Sequence, residues 1–438
     1  MSRRAVVALI LLVTSAVRAD NFDLFGYGPR GSAMAGAMTA EANDYTSVFY
    51  NPALLVERKD VNFGFHFQFY RMQADVAQKD PNSAKTLTCT ACTAPDSIGY
   101  SLGLAVPLGG KVKNHLALGV GIYLPSQVLL RLNAPDTNTP YWYRYNGNPE
   151  RLSLHLGAGI RIVEWLKLGL GVQALADLVG DGANVSVDLF SKQVKLNTLN
   201  SYLGTRVSPV VGIHVSPTSW LRFGATWRGE MKLIYQIPAK VDLQGVGTLG
   251  FTVSGVAHYS PHTVSVGAAI DPVKNLTISL DGEWQNWSAA PSPYVNLVID
   301  LSGKTLDGLG LGSALDVSSA MQRPGFADTI SARLGGEYRV SERFAARLGA
   351  FYRPTPVPKQ DTAGTNLLDN DAIGVTGGFG FNFPDPLEIF QAPIQIDLAA
   401  QATVIMPREA NKDPADNVPS YTYSSRVFGA SIAVRYDF

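Results

Sequence analysis

Cys89 and Cys92 are the residues of this 438-residue chain whose type and spacing most directly suggest chemistry. They stand as C-T-A-C in a polar stretch, a spacing that suits a local disulfide, a metal site or a redox pair. A metal site normally needs two more ligands, and none is spaced nearby. No thioredoxin-like βαβ pattern surrounds the pair. We favour a disulfide in an exported chain, while the other two interpretations stay open.

The remaining reactive side chains do not form a recognisable catalytic pattern. The six histidines are scattered, and His66 and His155 are better explained as members of polar networks. A lipolytic site would need a Ser or Thr nucleophile with a positioned His. The chain also lacks the G-x-x-x-x-G-K-[ST] loop that binds nucleotide phosphates. We predict a protein that is not an enzyme and that has no cofactor and no metal ion.

The alternation of side chains near the C-terminus is the clearest structural signal in the chain. From Arg426 to Phe438, apolar residues alternate without a break with small or charged ones. Successive side chains of a strand point to opposite faces, so one face is apolar and ends in the aromatic Phe438. Outer-membrane barrels close on such a strand, with apolar side chains toward lipid and polar ones toward the lumen.

Thirteen earlier segments show the same two-residue period, and each has about the 9–11 residues that cross a bilayer at a tilt, or more. Short turns alternate with long loops, which are extracellular in barrels. Residues 248–258 are assigned to a loop, because a fifteenth strand would break the even number. We predict an all-β fold, a 14-stranded antiparallel transmembrane β-barrel over residues 61–438. The predicted strands are 61–70, 98–106, 116–124, 152–162, 166–176, 203–216, 220–235, 262–271, 275–288, 328–340, 342–353, 372–384, 392–406 and 424–438.

Composition and the N-terminus agree with an exported barrel. Charged residues make up 16% of the chain, and a mean hydropathy of +0.05 is too low for a helical membrane protein. Arg3 and Arg4 precede an apolar stretch, and Ala19 offers a small residue for cleavage, so residues 1–19 are a predicted signal peptide. Its removal takes three arginines from a chain of formal net charge zero and leaves −3. That balance gives no support for a nucleic-acid partner.

Two neighbouring predicted strands carry charges opposite their apolar residues. On the lipid face these charges would cost about 2–4 kcal/mol at mid-bilayer, so we place them in the lumen. Either they form salt bridges that stiffen the wall, or one or two of them meet a substrate carboxylate. They are Arg333, Glu337, Arg339, Arg343, Arg347 and Arg353.

Residues 20–60 do not alternate and are rich in glycine, alanine and small polar residues. About fourteen strands enclose more space than wall side chains fill, and this segment suits a small plug. Its runs G-Y-G-P-R-G-S-A-M-A-G-A and A-N-D-Y-T-S-V-F-Y-N-P-A-L-L resemble the N-terminal hatch of the long-chain fatty acid transporter family of Gram-negative outer membranes (FadL/TodX/OmpP1). The matching positions are Arg30, Ala33, Met34, Gly36, Ala37, Asn51, Pro52 and Ala53. The cysteine pair departs from the family's pattern.

The resemblance implies a monomeric barrel in a Gram-negative outer membrane, reached by Sec export and the barrel-assembly machinery, in contact with lipid and lipopolysaccharide. It implies that loops capture a hydrophobic substrate, pass it to a pocket beside the hatch and release it sideways near the third strand. Phe22, Leu24 and Phe25 would line that pocket.

Three further candidates lie along this route. Pro125 cannot donate to a ladder, and it either opens a lateral gate or simply ends the third strand. Loop 289–327 is unusually apolar, so Leu309 and Leu311 are candidates for substrate capture or for packing within a lid. Arg131 is the candidate partner of a substrate carboxylate.

We therefore predict passive uptake of hydrophobic small molecules, with long-chain fatty acids first and aromatic hydrocarbons as the alternative. A secretion or adhesion accessory on the same barrel remains a third option. The predicted hatch and apolar loops speak against a general porin for polar solutes.

Overall fold

A computed structural model of the chain describes residues 21–79, 86–89, 92–126, 137, 139–146, 151–188, 193–243, 246–308, 324–385, 393–416 and 418–438. The predicted signal peptide and its cleavage site lie outside these residues. Among the helices described, none combines the length and the apolar character needed to cross a membrane.

Fourteen antiparallel strands pair in chain order and close into a barrel, which confirms the predicted fold and strand count. The closing ladder joins the first strand to the last, from Asn62 opposite Asp437 to Lys79 opposite Ser420. The strands are β1 (Asn62–Lys79), β2 (Ser97–Pro107), β3 (Leu116–Pro125), β4 (Ser153–Val163), β5 (Leu166–Asp188), β6 (Gln193–Thr218), β7 (Leu221–Arg228), β8 (Thr263–Val273), β9 (Leu276–Gln285), β10 (Thr329–Ser341), β11 (Phe344–Arg353), β12 (Ala372–Phe383), β13 (Ile394–Ala410) and β14 (Ser420–Asp437).

Side chains along these strands alternate between the outside and the lumen. On the outer face, Leu348, Ile330 and Leu170 are 73%, 69% and 66% exposed. The inner face carries buried polar side chains such as Gln173 and Ser279. This is the arrangement that an apolar surrounding outside and a polar lumen require.

The predicted strand 220–235 is interrupted. β7 ends at Arg228, which pairs with Thr263 of β8, so the wall passes directly from β7 to β8. Between them, Met231–Leu243 and Gly247–Ser260 form a hairpin at the long-loop end. Residues 248–258 are therefore a strand, which the loop assignment missed, although they do not belong to the wall.

This hairpin forms because the C-terminal end of β5 extends beyond the wall and pairs with it. Met231–Leu243 runs parallel to β5, with Ala239 opposite Ala183, and the other hairpin strand pairs with Asn296–Ser302. The remaining strands are Thr86–Thr88, Tyr141–Trp142 and Leu367–Leu368. The helices among the described residues are α1 (Asn21–Phe25), α2 (Pro29–Ala33), α3 (Ser47–Tyr50) and α4 (Lys304–Gly308), with 3₁₀ turns at Pro52–Glu57, Gly110–Val112, Trp287–Ala289 and Pro414–Asp416.

Residues 21–60, called here the N-terminal segment, are packed inside the barrel against lumen-facing glycines. A Cβ on Gly64 or Gly103 would lie 2.0 Å from the ring of Tyr45. Glycine within a strand often marks the place where another backbone approaches closely. Here a belt of glycines makes the seat for the segment: Gly64, Gly103, Gly119, Gly121, Gly157, Gly159, Gly169, Gly212, Gly224, Gly335, Gly349 and Gly378.

Candidate functional site

The Asn51-Pro52-Ala53 motif fixes the N-terminal segment to the wall. The Asn51 side-chain oxygen accepts from the Ala53 backbone N–H at 3.1 Å and caps the 3₁₀ turn that follows. Its Nδ2 donates to the carbonyls of Thr39 at 2.8 Å and Ile213 of β6 at 3.0 Å. Pro52 occupies the first helical position, where no N–H is required. One asparagine thus joins two parts of the segment and one strand.

Arg30 anchors the segment to the opposite wall through buried ion pairs. Its Nε lies 2.9 Å from Glu337 Oε2, and its Nη2 lies 3.0 Å from Glu41 Oε1. Glu337 also accepts from Arg347 Nε at 2.7 Å, so the salt-bridge lattice expected in the wall is present and extends to the segment. Each buried charge has a partner, without which its burial would be strongly unfavourable. The lattice continues through Asp397 and Arg435 to Asp44.

Gly36 lies in the same segment at a turn with φ +77°, a backbone conformation that favours glycine. A Cβ there would lie 3.4 Å from Nη1 of Arg333 on β10. The glycine therefore serves both the turn and the close approach to the wall.

The cleft beside α1 is lined by all three residues predicted for the pocket: Phe22, Leu24 and Phe25. Its volume is about 20 Å³, room for about one water, whereas a cavity of about 150 Å³ takes benzene. The Phe25 ring is stacked on Tyr70 of β1 with centroids 3.6 Å apart. The side chains of α1 therefore occupy the space that a hydrophobic ligand would need.

Hydrogen bonds to backbone carbonyls help to hold α1 in this position. Ser32 Oγ and Tyr70 Oη donate to the Phe25 carbonyl at 2.8 and 3.2 Å. Gln401 Nε2 donates to the Leu24 carbonyl at 3.4 Å. Asp23 of the same helix also pairs with Arg228 of β7 at 3.3 Å, so this five-residue helix is held by one ion pair, by these hydrogen bonds and by its apolar side chains.

Arg353, at the end of β11, brings a positive charge to the same cleft. It is 7% exposed, its Nη2 donates to the Tyr145 hydroxyl, and its guanidinium lies 5.9 and 5.8 Å from the ring centroids of Tyr145 and Phe351. Within the described residues it forms no ion pair with a carboxylate, whereas Arg333 lies 2.7 Å from Glu283. Burial raises the pKa of Tyr145, so its hydroxyl is neutral and supplies no negative charge to Arg353.

An apolar cluster extends from α1 toward the long loops. The strand Tyr141–Trp142 contributes Trp142, and the strand Leu367–Leu368, paired parallel to it, contributes Leu368. The full cluster is Leu24, Phe25, Tyr70, Met72, Val76, Cys92, Ala94, Trp142, Tyr145, Leu368, Ala372, Ile405, Ala410, Tyr421, Tyr423 and Val427. Tyr143 and Leu367 belong to a second aromatic cluster among the loops, with Trp287 and Phe326.

Cys89 and Cys92 form a disulfide with their Cα atoms 5.3 Å apart. Cys92 is buried in the apolar cluster, and its carbonyl accepts from Trp142 Nε1 at 2.9 Å. The disulfide links two residues of the first long loop, and the Trp142–Cys92 hydrogen bond joins that loop to the second.

At the end of β3, the residues that the structure describes pair on one side only. The β2–β3 ladder includes Pro125 opposite Gly99, while the β3–β4 ladder ends at Tyr123 opposite Ser153. The ring of Tyr123 fills the space above Gly99, where a Cβ would lie 2.3 Å from it. Pro125 thus lies beyond the last pair with β4, and Tyr123 closes the lumen side.

The short-turn end of the lumen is polar. One cavity of about 890 Å³ is lined by charged residues including Glu57, Arg161 and Lys167. A second, of about 240 Å³, is lined by Arg30, Arg343 and other charged residues. An apolar solute leaving by this end would cross charged surfaces, which favour water over hydrocarbon.

Three of the predicted substrate residues, Arg131, Leu309 and Leu311, lie outside the described residues. In the part of the chain that is described, no three His, Cys, Asp or Glu side chains are grouped closely enough to hold a metal ion. Sequence reasoning missed Asp23 and Arg228, whose side chains form an ion pair at 3.3 Å. The sequence did contain a signal for this pair, because Asp23 is an acidic residue among the apolar residues of α1.

The chain matches the family model described as outer membrane protein transport protein (OMPP1/FadL/TodX) over residues 10–438. Alkane uptake protein A of Marinobacter nauticus is 23% identical over 456 residues, covering 99% of this chain and 95% of the relative. Among solved structures, a Pseudomonas aeruginosa FadL homologue aligns with a TM-score of 0.61 at 13% identity, covering 97% of this chain and all of that one. The P. putida toluene transporter TodX aligns with a TM-score of 0.59 at 15% identity, covering 95% and 99%. At these identities, the structural likeness shows the fold.

Proposed function

The chain belongs to the OMPP1/FadL/TodX family of outer-membrane transport proteins, and we propose that its substrates are long-chain fatty acids. It is an outer-membrane β-barrel transporter of hydrophobic molecules from a Gram-negative bacterium. The finer assignment depends on one observation: a cleft lined by Phe22, Leu24 and Phe25 also contains the buried cation of Arg353.

This combination suits a molecule with an apolar body and an anionic end. Contact with the rings of Tyr145 and Phe351 stabilises the Arg353 guanidinium in the cleft by about 0.5–2 kcal/mol. A hydrogen bond to a charged group contributes about 1.5–3 kcal/mol, so a carboxylate would complete the environment of the guanidinium. Burial of the apolar tail adds roughly 25 cal/mol per Å². A pure hydrocarbon would leave the cation without an anionic partner.

The route follows from the distribution of apolar and charged surface. Substrate enters among the extracellular loops, moves along the apolar cluster and displaces α1, while the rest of residues 20–60 stays as the hatch. The charged cavities at the periplasmic end disfavour an apolar exit there. Release would be sideways near Pro125, where the β3–β4 ladder has ended. Such transport is passive and requires no cofactor.

We further propose that residues 1–19 are removed on Sec export, and that the barrel works as a monomer in contact with lipid and lipopolysaccharide. The barrel-assembly machinery would insert residues 61–438 around the hatch.

Aromatic hydrocarbons are the second candidate. The aromatic side chains of the cluster, such as Tyr70, Trp142 and Tyr423, suit a ring-shaped ligand. The name of one similar protein, a toluene transporter, points the same way, whereas that of another, an alkane uptake protein, points to hydrocarbons without aromatic rings.

Uptake of labelled oleate by cells that lack their own fatty acid transporter and express this chain tests the proposal. Saturable oleate uptake that excess toluene does not inhibit would support it. Absence of oleate uptake from a correctly inserted barrel would reject it. Uptake of labelled toluene would then favour the hydrocarbon alternative, and uptake of neither would favour an accessory role in secretion or adhesion.

A further inference from the structure

The larger polar cavity at the short-turn end of the lumen contains a basic cluster that the transport route does not use. Arg161 of β4, Lys167 of β5 and His214 of β6 form this basic cluster, and all three line the cavity of about 890 Å³. The three strands are neighbours in the wall. One acid of the N-terminal segment, Glu57, lies among them at the end of the 3₁₀ turn that follows the Asn-Pro-Ala motif.

Glu57 is closely paired with only one member of the basic cluster. Its Oε1 forms an ion pair with Lys167, whose Nζ also donates to Ser216 Oγ at 3.3 Å. The same oxygen lies 3.8 Å from His214 Nδ1, and Oε2 lies 3.9 Å from Arg161 Nη2. Both distances exceed the limit of about 3.2 Å for an ordinary N–H···O hydrogen bond. The carboxylate therefore does not satisfy His214 or Arg161.

Buried donors of the basic cluster have capacity for a further ligand. His214 is 1% exposed, and neither of its ring nitrogens makes a hydrogen bond of normal geometry to the residues that the structure describes. The Nη atoms of Arg161 donate to Glu164 and to the Val56 carbonyl, whereas its buried Nε has no partner among the described residues. Buried polar groups in proteins are nearly always hydrogen-bonded, so donors of this kind on a cavity wall indicate a ligand site.

The other acids that line the cavity are paired elsewhere or exposed. Glu41 and Asp271 pair with Arg222 at 2.9 and 2.6 Å. Glu164 is 88% exposed, and Asp60 is exposed as well. Since water and salt screen exposed charges, the acid that acts most directly on the basic cluster is Glu57. The two permanent positive charges of the cluster exceed this one negative charge, which favours an anionic ligand.

We propose that the basic cluster binds a phosphate group that enters from the short-turn side, carried by inorganic phosphate, by a soluble ester or by a lipid head group. A tetrahedral phosphate has several acceptor oxygens, so it can accept from His214 and from Arg161 Nε together, while Lys167 contributes charge. Because Arg161 also donates to the Val56 carbonyl, bound phosphate would strengthen the attachment of the N-terminal segment to the wall. This site lies outside the proposed transport route and does not depend on the transported molecule.

Titration calorimetry of the purified full-length protein in detergent with inorganic phosphate, at constant ionic strength, tests this site. His214→Phe keeps a ring but removes both nitrogens, and it should lower the affinity for phosphate at least about tenfold, because a hydrogen bond to a charged group is lost. Glu57→Gln removes a repelling charge and should raise the affinity about threefold. His115→Phe, at an exposed histidine of the same end that does not line the cavity, is the matched control and should change nothing.

A second titration with glycerophosphoethanolamine distinguishes the sources of the phosphate group. Binding of this diester would show that the site accepts a lipid head group, and binding of inorganic phosphate alone would restrict it to free phosphate and monoesters. The proposal is overturned if the wild-type protein shows no saturable binding of phosphate, or if His214→Phe and His115→Phe bind it equally well. Unchanged or weaker binding by Glu57→Gln also overturns it, because the carboxylate would then not face the ligand. Heat-modifiable migration on gels confirms that each variant has folded.

Discussion

Ala53 of the N-terminal segment lies against Gly169 of β5 so closely that a Cβ on the glycine would be 2.1 Å from the Ala53 nitrogen. No side chain fits between them, so the segment and the wall meet here backbone to backbone. Close packing of this kind makes the seat of the hatch sensitive to a single methyl group.

Gly169→Ala should therefore destabilise the protein by about 1–3 kcal/mol, the usual cost of overpacking. The measurement is thermal unfolding in detergent, followed by the mobility shift of the folded barrel. Gly336→Ala on β10 is the control, because the nearest atom to its Cβ would be 3.9 Å away. Equal stability of the two variants would contradict a close seat.

Loss of Glu337 should weaken the attachment of the hatch. Glu337→Gln leaves Arg30 and Arg347 without a shared carboxylate, and breaking a buried ion pair from one side costs about 3–5 kcal/mol. Chemical denaturation followed by tryptophan fluorescence measures the loss. Arg339→Gln is the control, since Arg339 is 55% exposed and lies 3.7 Å from the same carboxylate. It should cost at most about 1 kcal/mol, and a similar loss in both variants would argue against the buried lattice.

Truncation of Phe25 should make substrate binding easier. Phe25→Ala removes a ring that fills the closed cleft, and core Phe→Ala changes cost about 3–5 kcal/mol. If the substitution destabilises the closed state by a third of that free energy, the apparent affinity for oleate rises about tenfold, because displacing α1 then costs less. Titration calorimetry measures the change, and Phe379→Ala on the lipid face is the control. A weaker affinity for oleate would show that Phe25 contributes more to the open pocket than to its closure.

The disulfide should stabilise the loops rather than take part in transport. Cys89→Ser with Cys92→Ser removes a cross-link around a very short loop, for which chain entropy gives about 2 kcal/mol. Limited proteolysis of intact cells should cut the first long loop faster in this variant, and reductant should reproduce the effect in the wild type. Unchanged proteolysis would mean that the Trp142–Cys92 hydrogen bond alone holds the loop.

The barrel was predictable because its signal is local and repeated. Strict alternation, as from Phe428 to Phe438, reports which face of each strand meets lipid, and no knowledge of neighbouring strands is needed. The hairpin strand Gly247–Ser260 was missed because the even-number argument assigned it to a loop, although it pairs with its sequence neighbour Met231–Leu243 and with Asn296–Ser302. An argument from an even number of wall strands cannot identify strands that leave the wall.

The site was only partly predictable, for a different physical reason. Phe22, Leu24 and Phe25 were named from the resemblance, and the structure places all three in the cleft. Arg353 was one of several lumen-facing charges, and only the three-dimensional structure shows that, among the residues described, no carboxylate pairs with it as Glu283 and Glu337 pair with Arg333 and Arg347. Ion pairing between distant strands leaves no pattern in a single sequence.

Binding of oleate and methyl oleate to the wild-type protein and to Arg353→Gln is the most direct test of the central claim. The account predicts that the wild type binds oleate at least about tenfold more tightly than the ester, because a charge-assisted hydrogen bond is lost with the ester. Arg353→Gln should abolish that difference, and Arg353→Lys should retain part of it. Equal affinities of the wild type for oleate and its ester would contradict the account and favour a transporter that recognises hydrocarbon alone.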